Sequence, residues 1–205
     1  MIQKKLLALI LSLFCAISEA QGLDDIDQWG VITIGQEDPY YIMPSAFSNQ
    51  DTRFSKNNIS YNQFFYKDGK NPSNWQEQIS FKAVRGKPDP AGNNTEVLKE
   101  ILAKAIEKNC PSNFYRSSEE QLGDKKIGLF MGCRKLAIDG NTGIIGYHVI
   151  IEGRDSMFAL AREARVANYD ATPPISETEL QKWKAHLQRT VICAKNDVCI
   201  NKTKP

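Results

Sequence analysis

Between Ile127 and Val166 the chain carries three consecutive β-prone runs joined by short, glycine-containing connections. The runs are Ile127–Ile138, Ile144–Glu152 and Ser156–Val166; the connections are Asp139-Gly140-Asn141-Thr142-Gly143 and Gly153-Arg154-Asp155. Parallel neighbours need a crossover of about a dozen residues, so connections this short force antiparallel pairing and predict a meander. In the middle run Ile145, Tyr147, Val149 and Ile151 alternate with Gly146, His148 and Ile150, the period of a strand. Ala161 to Ala167 has the composition of a helix, because Ala, Arg and Glu favour that state, but the meander around it argues for strand.

Upstream, Ile59 to Tyr66 alternates. Lys67-Asp68-Gly69-Lys70-Asn71-Pro72 is turn chemistry, and Trp75 to Arg85 places Ile79, Phe81 and Ala83 on one face with Ser80 and Lys82 between. The pair predicts a hairpin. Gly30 to Gly35 reads as a short strand, Gln36 to Asn57 as an irregular aromatic stretch holding one helical turn, and Asn113 to Arg116 as a short strand. Asn93 with Glu96, and Ser176 with Glu179, open two amphipathic helices. The first carries Val97, Leu98, Ile101, Leu102, Ala105 and Ile106; the second carries Leu180, Trp183, Leu187 and Val191. The expected fold class is α+β: an antiparallel sheet, hairpin plus three-strand meander, covered by two amphipathic helices.

The first twenty residues read as an export signal. Lys4 and Lys5 precede an apolar run from Leu6 to Ile17, and Ser18-Glu19-Ala20 supplies small residues at the cleavage positions. The expected organisation is a cleaved signal over 1–20, a flexible lead-in over 21–29, one domain over 30–200 and a tail over 201–205. An uncleaved anchor is the alternative, but the run is short for a bilayer. Cys15 leaves with the signal, and four cysteines remain. In an exported chain an even count favours bridges. Of three pairings, Cys110–Cys133 and Cys193–Cys199 are preferred. The first ties a helix end to a strand, and the second closes a short polar turn. No Cys-x-x-Cys occurs and there are only 2 His, which argues against zinc and thioredoxin-type chemistry.

Few residues point to chemistry. His148 lies mid-strand with Asp155 and Ser156 beyond it, but no Gly-x-Ser-x-Gly elbow accompanies them. The plainer reading is a hydrogen-bonded strand histidine. His186 reads as a solvated helix histidine. Glu119-Glu120, Asp24-Asp25 and Glu177 with Glu179 fall in loops or first helical turns, where acids suit the helix dipole. Neither phosphate-loop glycine motif nor an EF-hand spacing occurs; Asp51, Asp68, Asp89 and Asp139 stand isolated. Three Asn-x-Ser/Thr tripeptides begin at Asn58, Asn93 and Asn201, a pattern chance supplies. Tyr40, Tyr41, Phe47 and Phe54, with Phe64, Phe65, Tyr66 and Trp75, form either a contact surface or core beneath a long loop, with core preferred. Lys135, Arg154, Arg162 and Arg165 suggest a small positive face or a charged sheet edge. A net charge of +2 gives no broad basic field for nucleic acid.

The stretch Asn71-Pro72-Ser73-Asn74-Trp75-Gln76-Glu77-Gln78-Ile79-Ser80-Phe81, the Gly153-Arg154-Asp155-Ser156-Met157-Phe158 corner and the terminal Trp-containing helix resemble small exported bacterial proteins of uncharacterised function. The element order over 30–193 is similar to the PsbP/MOG1/DcrB-like α/β-sandwich group. The resemblance implies a bacterial origin and an accessory role and carries over no catalytic residue. The expected function is a non-enzymatic binding or accessory protein of the cell envelope, periplasmic or secreted. Its expected partner is another protein or an envelope component, with no cofactor, no metal and no anchor after cleavage. The alternatives are a small secreted hydrolase using His148 and an inhibitor or immunity-type protein.

Overall fold

The computed structural model describes residues 28–31, 37–54, 60–87, 89, 91–110, 113–138 and 140–194. The expected signal segment, most of the lead-in and the tail lie outside them. The described strands are β1 (Gln28–Val31), β2 (Glu37–Met43), β3 (Phe47–Phe54), β4 (Ser60–Lys67), β5 (Glu77–Arg85), β6 (Phe114–Arg116), β7 (Glu120–Gly123), β8 (Lys126–Cys133), β9 (Thr142–Glu152), β10 (Ser156–Ala167) and β11 (Val191–Ala194). The helices are α1 (Asn94–Glu107) and α2 (Glu177–Gln188).

The fold is α+β with an antiparallel sheet and two helices. The large sheet runs β3-β4-β5-β10-β9-β8-β6, with β7 also paired to β8. It therefore holds more strands than the sequence predicts. A second sheet, β1-β2-β11, was not expected at all. The segment from Gln36 to Asn57 supplies β2 and β3 rather than a helical turn. Its prolines and polar residues mask an alternation that pairing with β11 and β4 stabilises. β8 ends at Cys133, five residues short of Ile138, which is 89% exposed. Ala161 to Ala167 is strand, because β5 and β9 pair with β10 on both sides and outweigh local propensity.

Alternation sends the two faces of the large sheet into different cores. One face presents Ile79 and Phe81 of β5, Tyr147 and Val149 of β9, and Phe158 and Leu160 of β10; Trp183 and Leu187 of α2 and Tyr41 of β2 close over them. The other face presents Leu129 and Met131 of β8, Ile150 of β9, and Met157 and Ala159 of β10, covered by Leu98 and Ala103 of α1. Both helices start at their expected caps: the side chain of Asn93 accepts from the Glu96 amide, and Ser176 Oγ accepts from the Glu179 amide at 3.1 Å.

Cys110, just past α1, is bonded to Cys133 at the end of β8, with a Cα–Cα distance of 5.6 Å. Cys193 is also disulfide-bonded. The expected Cys193–Cys199 pairing involves a residue outside the described ones. No helix among the described residues is long and apolar enough to cross a membrane.

Candidate functional site

Register places a polar patch where a core would be expected. Across β5, β10 and β9, Gln78 faces Glu163, which faces Gly146; Ser80 faces Ala161, which faces His148; Lys82 faces Ala159, which faces Ile150. These residues share the sheet face that α1 covers. The helix packs on β8, β9 and β10, so it leaves the β5 side of this face unfilled. A cavity of about 370 Å³ remains, at the small end of the ~300–1,000 Å³ usual for ligand sites. Asn62, Ser80, Lys82, His148 and Glu163 line its floor, and Leu102 and Ile106 of α1 its roof.

His148 is 4% exposed, and its Nε2 has no hydrogen-bond partner. Burial pulls its pKa down to about 4, so the ring is neutral at pH 7. The expected hydrogen-bonded strand histidine is therefore corrected at this nitrogen. A side chain at position 146 would start 2.9 Å from both His148 Nε2 and Glu163 Cγ, so Gly146 leaves these two side chains the space they occupy. Burial raises the pKa of Glu163, opposed by hydrogen bonds from Gln78 and Ser80. Gln78 Nε2 donates to Glu163 Oε2 at 2.8 Å. Burial lowers the pKa of Lys82, and among the described residues no carboxylate pairs with it.

The Ser-His-Asp arrangement does not assemble. Ser156 stands five residues along β10 from Ala161, the residue opposite His148, roughly 17 Å away at strand rise. Asp155 lies in the turn beyond it, where its amide donates to Glu37 Oε2 at 3.1 Å. His186 is not solvated: its Nε2 is 2.6 Å from the Ile42 carbonyl oxygen and joins α2 to β2. Tyr41, Phe47, Phe65, Tyr66 and Trp75 are buried, as the core reading expects. The positive face dissolves, because Arg162 turns inward. Its Nε lies 2.5 Å from Glu77 Oε1, and its guanidinium sits 5.4 and 5.3 Å from the ring centres of Phe47 and Trp183. Arg165 stacks over Trp75 at 4.4 Å.

Asp24-Asp25 lies outside the described residues, and the other two carboxylate pairs are ion-paired or hydrogen-bonded. Glu119 holds Lys99, and Glu179 Oε1 accepts from Trp183 Nε1 at 2.8 Å. Glu120 Oε2 accepts from Tyr147 Oη at 3.1 Å and lies 3.0 Å from Lys184 Nζ. This last group lines a larger cavity of about 530 Å³ beside α2. Gln188 Nε2 donates to Tyr147 Oη at 3.3 Å, so its polar atoms satisfy one another. The smaller cavity, with an unanswered imidazole and an unpaired amine, has more to offer a ligand. Among the described residues no group of three or more His, Cys, Asp or Glu is placed to hold a metal ion.

Gln78, Lys82 and Glu163 escaped the sequence reading. The signal for Gln78 and Lys82 was present in the alternation of β5 and that for Glu163 in β10, but polar residues on alternate strand positions ordinarily face water.

No protein-family model matches the chain, and no curated protein matches it. Among solved structures it is similar to a mutant of the protein Mog1, with a TM-score of 0.47 and 9% identity over 78% of this chain and 84% of that one. It is also similar to LpqN, described as involved in cell envelope biogenesis of Mycobacterium tuberculosis, with a TM-score of 0.36 and 17% identity over 82% of this chain and 92% of that one. Likeness at this level transfers neither residues nor activity.

Proposed function

We propose that this chain is an exported, non-enzymatic binding or accessory protein of the bacterial cell envelope, and that it holds a small ligand in the cavity between α1 and the large sheet. The observation that carries the reading is the buried imidazole of His148, a residue that lines the cavity and whose sealed Nε2 lacks a hydrogen-bond partner. A buried polar atom left unpaired costs about 1–3 kcal/mol, and a ligand that answers it recovers that energy on binding. Export is supported by the N-terminal sequence pattern and fits the Cys110–Cys133 bridge.

The arrangement suits binding better than hydrolysis. The cavity's hydroxyl, Ser80, is two strands away from His148 and bonded to Glu163. A base without a nucleophile in reach leaves acyl transfer unsupported. The test is a fragment screen on the mature protein followed by NMR of the imidazole of His148. Fragments that bind are expected to shift that resonance and to lose affinity in His148→Leu. Fragments that bind only beside Tyr147, or none that bind at all, would remove this reading.

A further inference from the structure

Lys82 gives the cavity a sign. Its ammonium is half-buried on the floor, with no carboxylate partner among the described residues. Asn62 sits directly opposite it on β4, so an amine and an amide converge at one end. Glu163, the one carboxyl among the described residues that line the cavity, already accepts from Gln78 and is not the counter-ion of Lys82. Between these groups the walls are apolar: Phe64 from β4, Ile144 from β9, and Leu102 and Ile106 from α1. The cavity is thus a slot with one cationic end and a hydrocarbon body. Among the described residues that line it there is no arginine, the group that would clamp a dianionic phosphate at two points.

We propose that the cavity binds a small amphipathic carboxylate, its anion on Lys82 and Asn62 and its hydrocarbon portion beneath Leu102 and Ile106. The inference rests on the cavity being the ligand site. The carboxylate supplies the charge that Lys82 lacks, and chain methylenes displace water from the apolar walls. A volume of about 370 Å³ suits a single short chain rather than a two-chain lipid.

The test titrates mature protein with decanoate, decanol and decyltrimethylammonium, each below its micelle concentration. Calorimetry reads affinity, and NMR reads the His148 imidazole. Decanoate is expected to bind one molecule per chain and to shift His148. Lys82→Met is expected to weaken it about tenfold or more, the scale of one charge-assisted contact, and Lys82→Arg to retain it. Thermal melts of both variants verify folding. Decanol binding as tightly as decanoate, or an unchanged affinity in Lys82→Met, overturns the carboxylate assignment and leaves the cavity as a ligand site. Tighter binding of the quaternary ammonium overturns the assigned sign. If decanoate leaves His148 unmoved this inference fails, and the fragment screen separately decides whether the cavity takes ligands.

Discussion

The imidazole of His148 lies under α1 with an unanswered nitrogen, and burial alone sets its protonation. Its folded pKa of about 4 lies below the ordinary 6.5, so the unfolded chain binds the extra proton first. Stability from this residue is full above about pH 6.5 and is lost as the pH falls toward 4. The loss is on the order of 3 kcal/mol. Glu163 runs the other way. Its folded pKa is raised, so its contribution is present below the ordinary carboxylate range and is lost as pH rises through the folded value. Urea midpoints measured against pH are therefore expected to fall on the acid side in the native chain and to flatten there in His148→Gln. Glu163→Gln is expected to remove the loss at higher pH and leave the acid limb in place. Neither residue's behaviour was legible in the sequence, because both depend on which helix covers which sheet face. His148 could be singled out as a residue, but its missing partner could not.

At the scale of elements, local signals served well where the partner is close in sequence. The caps at Asn93 and Ser176 and the alternation of β9 need no distant residue to be read. Ser176→Ala is expected to cost about 1 kcal/mol, since it orphans the Glu179 amide; a thermal melt checks it. The Cys110–Cys133 bridge fastens the end of α1 to β8, across a separation of 23 residues. Loop-closure entropy puts its worth at about 3.4 kcal/mol. Replacing both cysteines by serine is expected to cost roughly 2–4 kcal/mol. Hydrogen exchange should quicken first in the last turn of α1. Cys133 lines the cavity, so the same variant is expected to bind ligand less tightly. Where pairing is long-range, the local signal was too weak. β3 sits at the edge of the sheet and β2 contains Pro39, so both read as irregular chain until β4 and β11 supply their hydrogen bonds.

The molecule is closed by contacts between residues far apart in the chain. β11 pairs with β2 from Val191↔Tyr40 to Ala194↔Glu37, joining the two ends of the described chain. No local pattern announces the β2–β11 pairing, because both strands are short and are separated by nearly the whole domain. Glu37 fastens it to the large sheet. It is 2% exposed, and its carboxylate accepts from the backbone amides of Arg154 and Asp155 in the β9–β10 turn. Gly153 makes room, since a side chain there would begin 2.5 Å from Glu37 Oε1. Glu37→Ala leaves two amides without an acceptor and is expected to cost about 2–4 kcal/mol, with Glu37→Gln losing less. Native-state hydrogen exchange distinguishes where that loss falls. Amides of β2 and β11 are expected to open well below the global unfolding free energy in Glu37→Ala, while β8, β9 and β10 keep most of their protection. The small sheet would then be a separate cooperative unit resting on the core of Phe81, Phe158 and Leu187. An equal loss of protection in every strand would instead mean that the two sheets unfold as one body, with Glu37 as a tie within it.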